Sequence, residues 1–200
     1  AYKIASPEII DPPLIQKVCE TGKPIILSTG AANIDEIEEA LSLIRSNGIN
    51  DIMLLHCTAA YPAPISEANL LTMKYLEKRF NVSVGLSDHT LGITTALTAI
   101  SLGASLIEKH FTFSRADGGV DSSFSLEPKE FSEMVKTSLD VYSSLGTPQT
   151  KPTKSESNVK KNRRSLYVVE DIKKGQKFSS NNIRSIRPSK GIRPKYYFDI

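Results

Sequence analysis

Two of the three histidines in this 200-residue chain stand in the same local setting. His89 follows Ser87-Asp88 at the end of an apolar run from Val82 to Leu86. His110 follows Glu108-Lys109 within a second run, Leu106 to Phe111. Between the runs lies a helix of small residues, about Gly92 to Leu102. This reads as strand, helix, strand, and parallel strands joined in that way share one edge, where α/β barrels and open α/β sheets keep their chemistry. Two imidazoles with carboxylates beside them (Asp88 and Glu108) suit a divalent transition metal, the carboxylates orienting the rings or holding bound water. Two protein ligands leave coordination positions open, as a catalytic metal requires. A buried structural role is the competing reading for each ring. For His56, which alternates away from Cys57 near its strand end, a packed or hydrogen-bonded role is expected.

Lys3, Ser6 and Glu8 form a second group. Period-two alternation separates Lys3 from Ser6 along a strand, so they converge only if Ser6 lies in the turn beyond it. An inward lysine could hold a phosphate as a point charge or form a Schiff base, and a surface lysine is the plain alternative. The loop Arg115 to Asp121 is Gly-rich and acidic, and its place after a strand makes it a candidate lid or substrate-contacting loop.

The elements that must position these residues follow from periodicity. Tyr2 to Ser6, Pro24 to Ser28 and Asp51 to Cys57 are short apolar runs of the kind buried on both faces of a parallel sheet. Helical patterns follow each: Asp11 to Cys19, Asn33 to Ser46 with Ile34, Ile37, Leu41 and Ile44 in phase, and a helix ending at Phe80 after the Pro-rich loop Thr58 to Ile65. A last helix starts at Pro128 and reaches about Leu145. Five strand–helix units in succession mean an α/β chain with a parallel sheet. Polar clusters at nearly every strand end, with no Gly-rich dinucleotide fingerprint, favour part of a TIM (β/α)8 barrel, about its last five units, over an open doubly wound sheet. The expected division is residues 1–147 as barrel, 148–164 as linker and 165–200 as a small β-rich module.

Composition, at 40% hydrophobic and 24% charged, is that of a globular protein. The longest uncharged stretch, Leu91 to Ile107, is too rich in Thr, Ser and Gly for a membrane span. Two cysteines, Cys19 and Cys57, both in apolar surroundings, fit a reducing cytoplasmic setting. The net charge of +3 hides an asymmetry: residues 151–200 carry +10 and residues 1–150 carry −7. No recognition-helix or aromatic-interleaved pattern accompanies the basic tail, so a module facing an acidic domain is preferred to nucleic-acid binding.

The ordered set YKIAS-x-E, PIILSTG, LLHCT-x2-YPAP, VGLSDHT, IEKHFT, the acidic loop ending at Asp121 and FSLEP-x-EF resembles the sialic acid synthase family. RSLYVVEDIKKG and RSIRP resemble its C-terminal SAF (antifreeze-like) domain. The resemblance spans essentially all 200 residues and implies three further barrel strands ahead of Tyr2, with a SAF domain cut short after Tyr197. A chain without those strands is expected to be inactive and poorly soluble.

By that resemblance the reaction joins phosphoenolpyruvate to an open-chain amino sugar, giving a nonulosonic acid and phosphate. His89 and His110 would hold Mn2+ or another divalent ion (Mg2+ or Co2+), which would polarise the aldehyde. Lys3, Ser6 and Ser87 would bind phosphoenolpyruvate, and Glu8 would manage protons. Tyr61 and Asp121 would contact the sugar, and Arg187 would reach the other subunit's site in a domain-exchanged homodimer. Ala59 stands where the neuraminate branch has Asn, and with AAYPAP and DSSFSLEP this resembles the pseudaminic acid synthase branch, which takes a diacetamido-trideoxy hexose. N-acetylneuraminate synthesis from N-acetylmannosamine is the runner-up, with legionaminate and spore-coat relatives behind. Rivals of other classes are a Schiff-base aldolase using Lys3 or Lys109 and a nucleic-acid binder.

Overall fold

The computed structural model describes residues 1–200 and divides into two compact units, Ala1–Gly146 and Thr147–Ile200. In the first, five strands alternate with helices: β1 (Tyr2–Ile4), α1 (Pro12–Cys19), β2 (Ile25–Ser28), α2 (Ile34–Ser46), β3 (Ile52–Cys57), α3 (Thr72–Phe80), β4 (Ser83–Asp88), α4 (Thr94–Ser101), β5 (Ile107–Lys109) and α5 (Pro128–Leu145). A 3-10 turn, Ser6–Ile10, leads from β1 to α1.

Local chemistry explains the helix boundaries. Asn33 accepts from the backbone N–H groups of Asp35 and Glu36, while Glu36 reaches back to the Asn33 N–H at 2.8 Å. This reciprocal cap satisfies donors that would otherwise have no partner. Asn81, left-handed at φ 51°, closes α3. The buried face of α2 is Ile37, Ala40, Leu41 and Ile44, the spacing read in the sequence.

The sheet order is β1-β2-β3-β4-β5, every pair parallel. Sequential order with right-handed crossovers puts all the helices on one face, whereas a doubly wound sheet must reverse direction. Ile4, Leu27, Leu54, Val84 and Leu86 occupy that helix-facing side, each at most 3% exposed. The other face carries Lys3, Ser28, Cys57, Ser87 and Glu108. Lys3 Nζ of edge strand β1 lies 3.0 Å from Glu108 Oε1 of the opposite edge strand β5. Flat strands about 4.8 Å apart would put those edges roughly 19 Å from each other, beyond the reach of the two side chains. The sheet is therefore curled, with Lys3 and Glu108 inside the curve, as in half of a (β/α)8 barrel.

Two strand ends differ from expectation. β4 runs on to Asp88 because Ser87 and Asp88 pair with Glu108 and Lys109. β5 stops at Lys109 because the next carbonyl, that of His110, is taken by the Leu126 N–H at 2.9 Å. The loop 113–126 returns to the sheet there and forms two short 3-10 turns, Arg115–Asp117 and Ser122–Phe124.

In the second unit, β6 (Ser165–Val168) and β7 (Ile183–Ile186) form an antiparallel pair. The stretch 148–164, expected as a bare linker, contains a 3-10 turn, Lys154–Glu156, and a short helix α6 (Ser157–Lys161). Thr153 and Glu156 cap each other, which starts the turn despite the polar composition. No helix is long and apolar enough to cross a membrane.

Candidate active site

The C-terminal ends of the strands bring the two histidines together. The ring centroids of His89 and His110 are 5.2 Å apart at 64°. Metal–nitrogen bonds of about 2.1 Å set the centroids of two rings on one ion roughly 4.5–5.5 Å apart. His89 Nδ1 donates to the Thr58 carbonyl at 3.0 Å, which fixes the tautomer and leaves Nε2 for a ligand. His110 Nδ1 faces Asp121 Oδ2 at 3.6 Å, a charge contact rather than a good hydrogen bond. No cluster of three or more His, Cys, Asp or Glu side chains is placed to bind a metal. The donor set fits a divalent ion held by two imidazoles with its other positions open.

Both rings sit in a small aromatic enclosure. Tyr61 lies tilted 4.3 Å from His89, and buried Phe124 lies 5.0 Å from His110. Burial pushes the His110 pKa down, and the nearby His89 adds to the effect. Burial also disfavours charge on His89, but bonds to Cys57 and the Thr58 carbonyl outweigh it and raise its pKa. The two rings therefore titrate apart, with His89 the one that holds a proton longer.

Lys3, Ser87 and Glu108 form one network. Glu108 Oε1 accepts from Ser87 Oγ at 2.7 Å and from Lys3 Nζ at 3.0 Å. Burial alone would raise the carboxyl's pKa, but these two donors hold it below the usual range. Ser6 lies in the 3-10 turn past the strand, the condition under which it converges with Lys3. It is buried, accepts from the Gly30 N–H at 2.9 Å and turns its hydroxyl toward the Cys57 sulfur, so it can serve a ligand only by exchanging that contact. Glu8 Oε2 is buried with no hydrogen-bond partner, an unsatisfied acceptor that a substrate proton or water would complete.

Some expectations need correction. Asp88 does not orient His89: its carboxylate points to the helix-facing side and pairs with Lys109 at 2.8 Å, both side chains 1% exposed. Lys109, one of two candidates for imine formation, is thereby sealed from substrate. Cys57 is not in apolar surroundings; its sulfur lies 3.7 Å from His89 Nδ1 and close to Ser6 and Ser87. Arg187 lies in the second unit, exposed just after β7. His56 is hydrogen-bonded, Nε2 donating to the Ala68 carbonyl at 2.7 Å.

Three residues at the site were not among the expected site residues. Gly30 is one, because a Cβ there would stand 2.8 Å from Ser6 Oγ and 2.9 Å from Cys57 Sγ. Ser28 Oγ is buried without a partner on the inner face. Phe124 walls His110. Only Ser28 had a usable signal, its inner-face parity at a strand end. A cavity of about 720 Å3 flanks the site on the β3 side, sharing Cys57 and Thr58 and lined also by Ala59 and Ala60.

A parallel sheet curled until side chains of its two edge strands touch, with imidazoles, a lysine and hydroxyls at the strand ends, defines a half-barrel of the (β/α)8 class with its functional face at the C-terminal ends. The chain belongs to the NeuB family, which it matches over residues 1–150. It is 44% identical over 202 residues to the pseudaminic acid synthase of Helicobacter pylori, covering 100% of this chain and 59% of that protein. It is 44% identical over 199 residues to the N,N'-diacetyllegionaminic acid synthase of Campylobacter jejuni, covering 98% and 60%. The crystal structure of N-acetylneuraminic acid (sialic acid) synthetase from Leptospira borgpetersenii, in complex with citrate, superposes with a TM-score of 0.73 at 36% identity, covering 78% of this chain and 55% of that one. The chain thus spans about three fifths of the length of the curated relatives it matches.

Proposed function

We propose that this chain carries the C-terminal part of a nonulosonic acid synthase, which condenses phosphoenolpyruvate with an open-chain amino sugar and water and releases phosphate. The observation that carries this reading is the convergence of His89 and His110 with the Lys3–Glu108–Ser87 network on the inner face of one curled sheet. Lys3 supplies a positive point charge for the phosphate, and Ser6 supplies a hydroxyl proton by exchanging its contact with Cys57. Ser87 can serve the phosphate only by exchanging its bond to Glu108. Glu8, with its unsatisfied oxygen, holds or returns the proton of the water consumed. Tyr61 and Asp121 line the sugar's approach. A divalent ion on His89 and His110, Mn2+ by preference with Mg2+ or Co2+ as alternatives, would polarise the sugar's carbonyl when bound.

The sugar we favour is a 2,4-diacetamido-2,4,6-trideoxy hexose of the pseudaminic type. Small side chains at Ala59 and Ala60 leave the neighbouring cavity open for a second acylamino group. N-acetylmannosamine is the alternative, and a diacetyllegionaminic-type sugar joins it because that synthase matches this chain at the same 44% identity as the pseudaminic one. The basic residues 151–200, at +10 against −7 for residues 1–150, support a SAF domain that meets the acidic surface of a second subunit. Arg187 would then be delivered to the other subunit of a cytoplasmic homodimer.

The test is phosphate release by the full-length enzyme, given phosphoenolpyruvate and a panel of amino sugars, with and without EDTA. Release with one diacetamido sugar, abolished by EDTA and by His89→Ala, is expected. Release that survives EDTA would remove the metal, and no release with any sugar would remove the synthase reading.

A further inference from the structure

We propose that the buried Asp88–Lys109 ion pair is a positioning device that sets the separation of the His89 and His110 rings. The inference rests on the two-histidine metal reading above.

Asp88 and Lys109 are register partners at the last rung of the β4–β5 ladder. Each immediately precedes one of the two histidines. Past this rung no β4–β5 pairing remains; the His89 carbonyl accepts from Ala63 and the His110 carbonyl from Leu126, so each strand end is tied to a different loop and the ladder no longer ties the two to each other. The ion pair replaces the missing rungs. Lys109 Nζ donates to Asp88 Oδ2 at 2.8 Å and also to the Thr90 carbonyl, so the residues on both sides of His89 are clasped. Asp88 Oδ1 accepts the Thr90 N–H at 2.9 Å and the Thr90 hydroxyl at 2.8 Å. Thr95, in the first turn of α4, donates to Asp88 Oδ2 at 2.7 Å and locks the helix to the same joint.

The pair lies on the helix-facing side of the sheet, where the central rows are Leu27, Leu54, Val84 and Leu86. Residual space beside Asp88, His89 and Thr95 is about 10 Å3, which leaves no comfortable room for a water, since one needs about 10–15 Å3. Charges sealed in such a layer often contribute no more to stability than an apolar pair of the same volume. Fold stability therefore does not account for them; holding two backbones at a fixed separation does.

The experiment compares Mn2+ affinity, read by electron paramagnetic resonance of the free ion, with the thermal midpoint in the full-length enzyme. The variant is Asp88→Asn with Lys109→Met, which removes both charges together. Mn2+ binding about 10–100-fold weaker, the usual cost of losing an outer positioning contact, with an unchanged or raised midpoint is expected. Unchanged affinity overturns the proposal and leaves the histidine site standing, whereas a wild type that binds no Mn2+ overturns both. Weaker binding with a lowered midpoint marks a merely structural pair and also overturns it. Should the double variant fail to fold, Thr95→Val must weaken Mn2+ binding and Thr95→Ser must restore it; wild-type affinity in both overturns the proposal.

Discussion

A Gly30→Ala substitution adds one methyl group at the floor of the site, and its cost can be worked out from three neighbours. The new Cβ would stand 2.8 Å from Ser6 Oγ, 2.9 Å from Cys57 Sγ and 3.1 Å from Ala59 Cβ. Ser6 cannot rotate away without giving up the bond it accepts from the Gly30 N–H at 2.9 Å. Cys57, 6% exposed, cannot move without disturbing His89. Overpacking of a filled interior costs about 1–3 kcal/mol, and the lost hydrogen bond about 0.5–1.5 kcal/mol. The sum is about 1.5–4.5 kcal/mol. With a urea m-value of about 2 kcal/mol/M, the unfolding midpoint of the full-length enzyme should drop by about 1–2 M. Gly119→Ala is the control, since its nearest atom is Ser122 Cβ at 3.8 Å and a shift within about 0.5 kcal/mol is expected. Adding Ser6→Ala removes the 2.8 Å clash, so the double variant should be more stable than the sum of the singles by at least about 0.5 kcal/mol. A Gly30→Ala protein as stable as wild type, or strictly additive singles, would refute this account of the floor.

Two pH predictions follow from groups outside the reacting centre. Arg115 binds Glu130 through Nη1 at 2.6 Å and Nη2 at 2.8 Å, and with the Glu127 N–H it lowers the Glu130 pKa to about 2. That depressed value stabilises the fold above the ordinary 4.5, and the gain is lost as pH falls toward 2, so Glu130→Gln should flatten the acid limb of urea stability in that window. The effect will be small because the pair is solvent-screened, and an acid limb unchanged in Glu130→Gln would contradict it. Burial lowers the His56 pKa below 6.5, opposed only in part by the Ala68 carbonyl, so wild type loses stability as pH falls below 6.5. His56→Gln should reduce that loss between pH 7.5 and 5.5 by urea titration, leaving the part that belongs to His89 and His110; an identical pH slope in both proteins would show that His56 does not contribute.

Much of the fold was legible because its signals are local. The runs around Ile25–Ser28 and Ile52–Cys57 are apolar on consecutive residues, and α2 announces itself by the Asn33 cap and its apolar phase. The convergence of His89 with His110 was equally legible, since both follow equivalent rungs of neighbouring strands. What escaped depends on the third dimension. Which face Asp88 points to follows from β4 extending two residues further than its apolar run, and the ladder to β5, not composition, decides that. Cys57 looks apolar along the chain, yet its register partner is Ser87, across a gap of 30 residues. Closeness of Gly30 to Ser6 arises from the β1–β2 register carried past the strand ends, and that of Phe124 to His110 from a returning loop, neither of which leaves a periodic trace. The helical turns in 148–164 were hidden by a composition that reads as spacer.

Each strand of the first unit pairs with the strand just before it in the chain, and partner residues lie only about 20 to 30 positions apart. Loop closure over such spans costs little more than over half that length. Growth of the sheet can accordingly follow synthesis, each new strand docking on an edge already made, with no need to wait for a distant segment. The same order means that Lys3, Ser6 and Glu8 emerge first and wait for the strands that bring His89 and His110 to them.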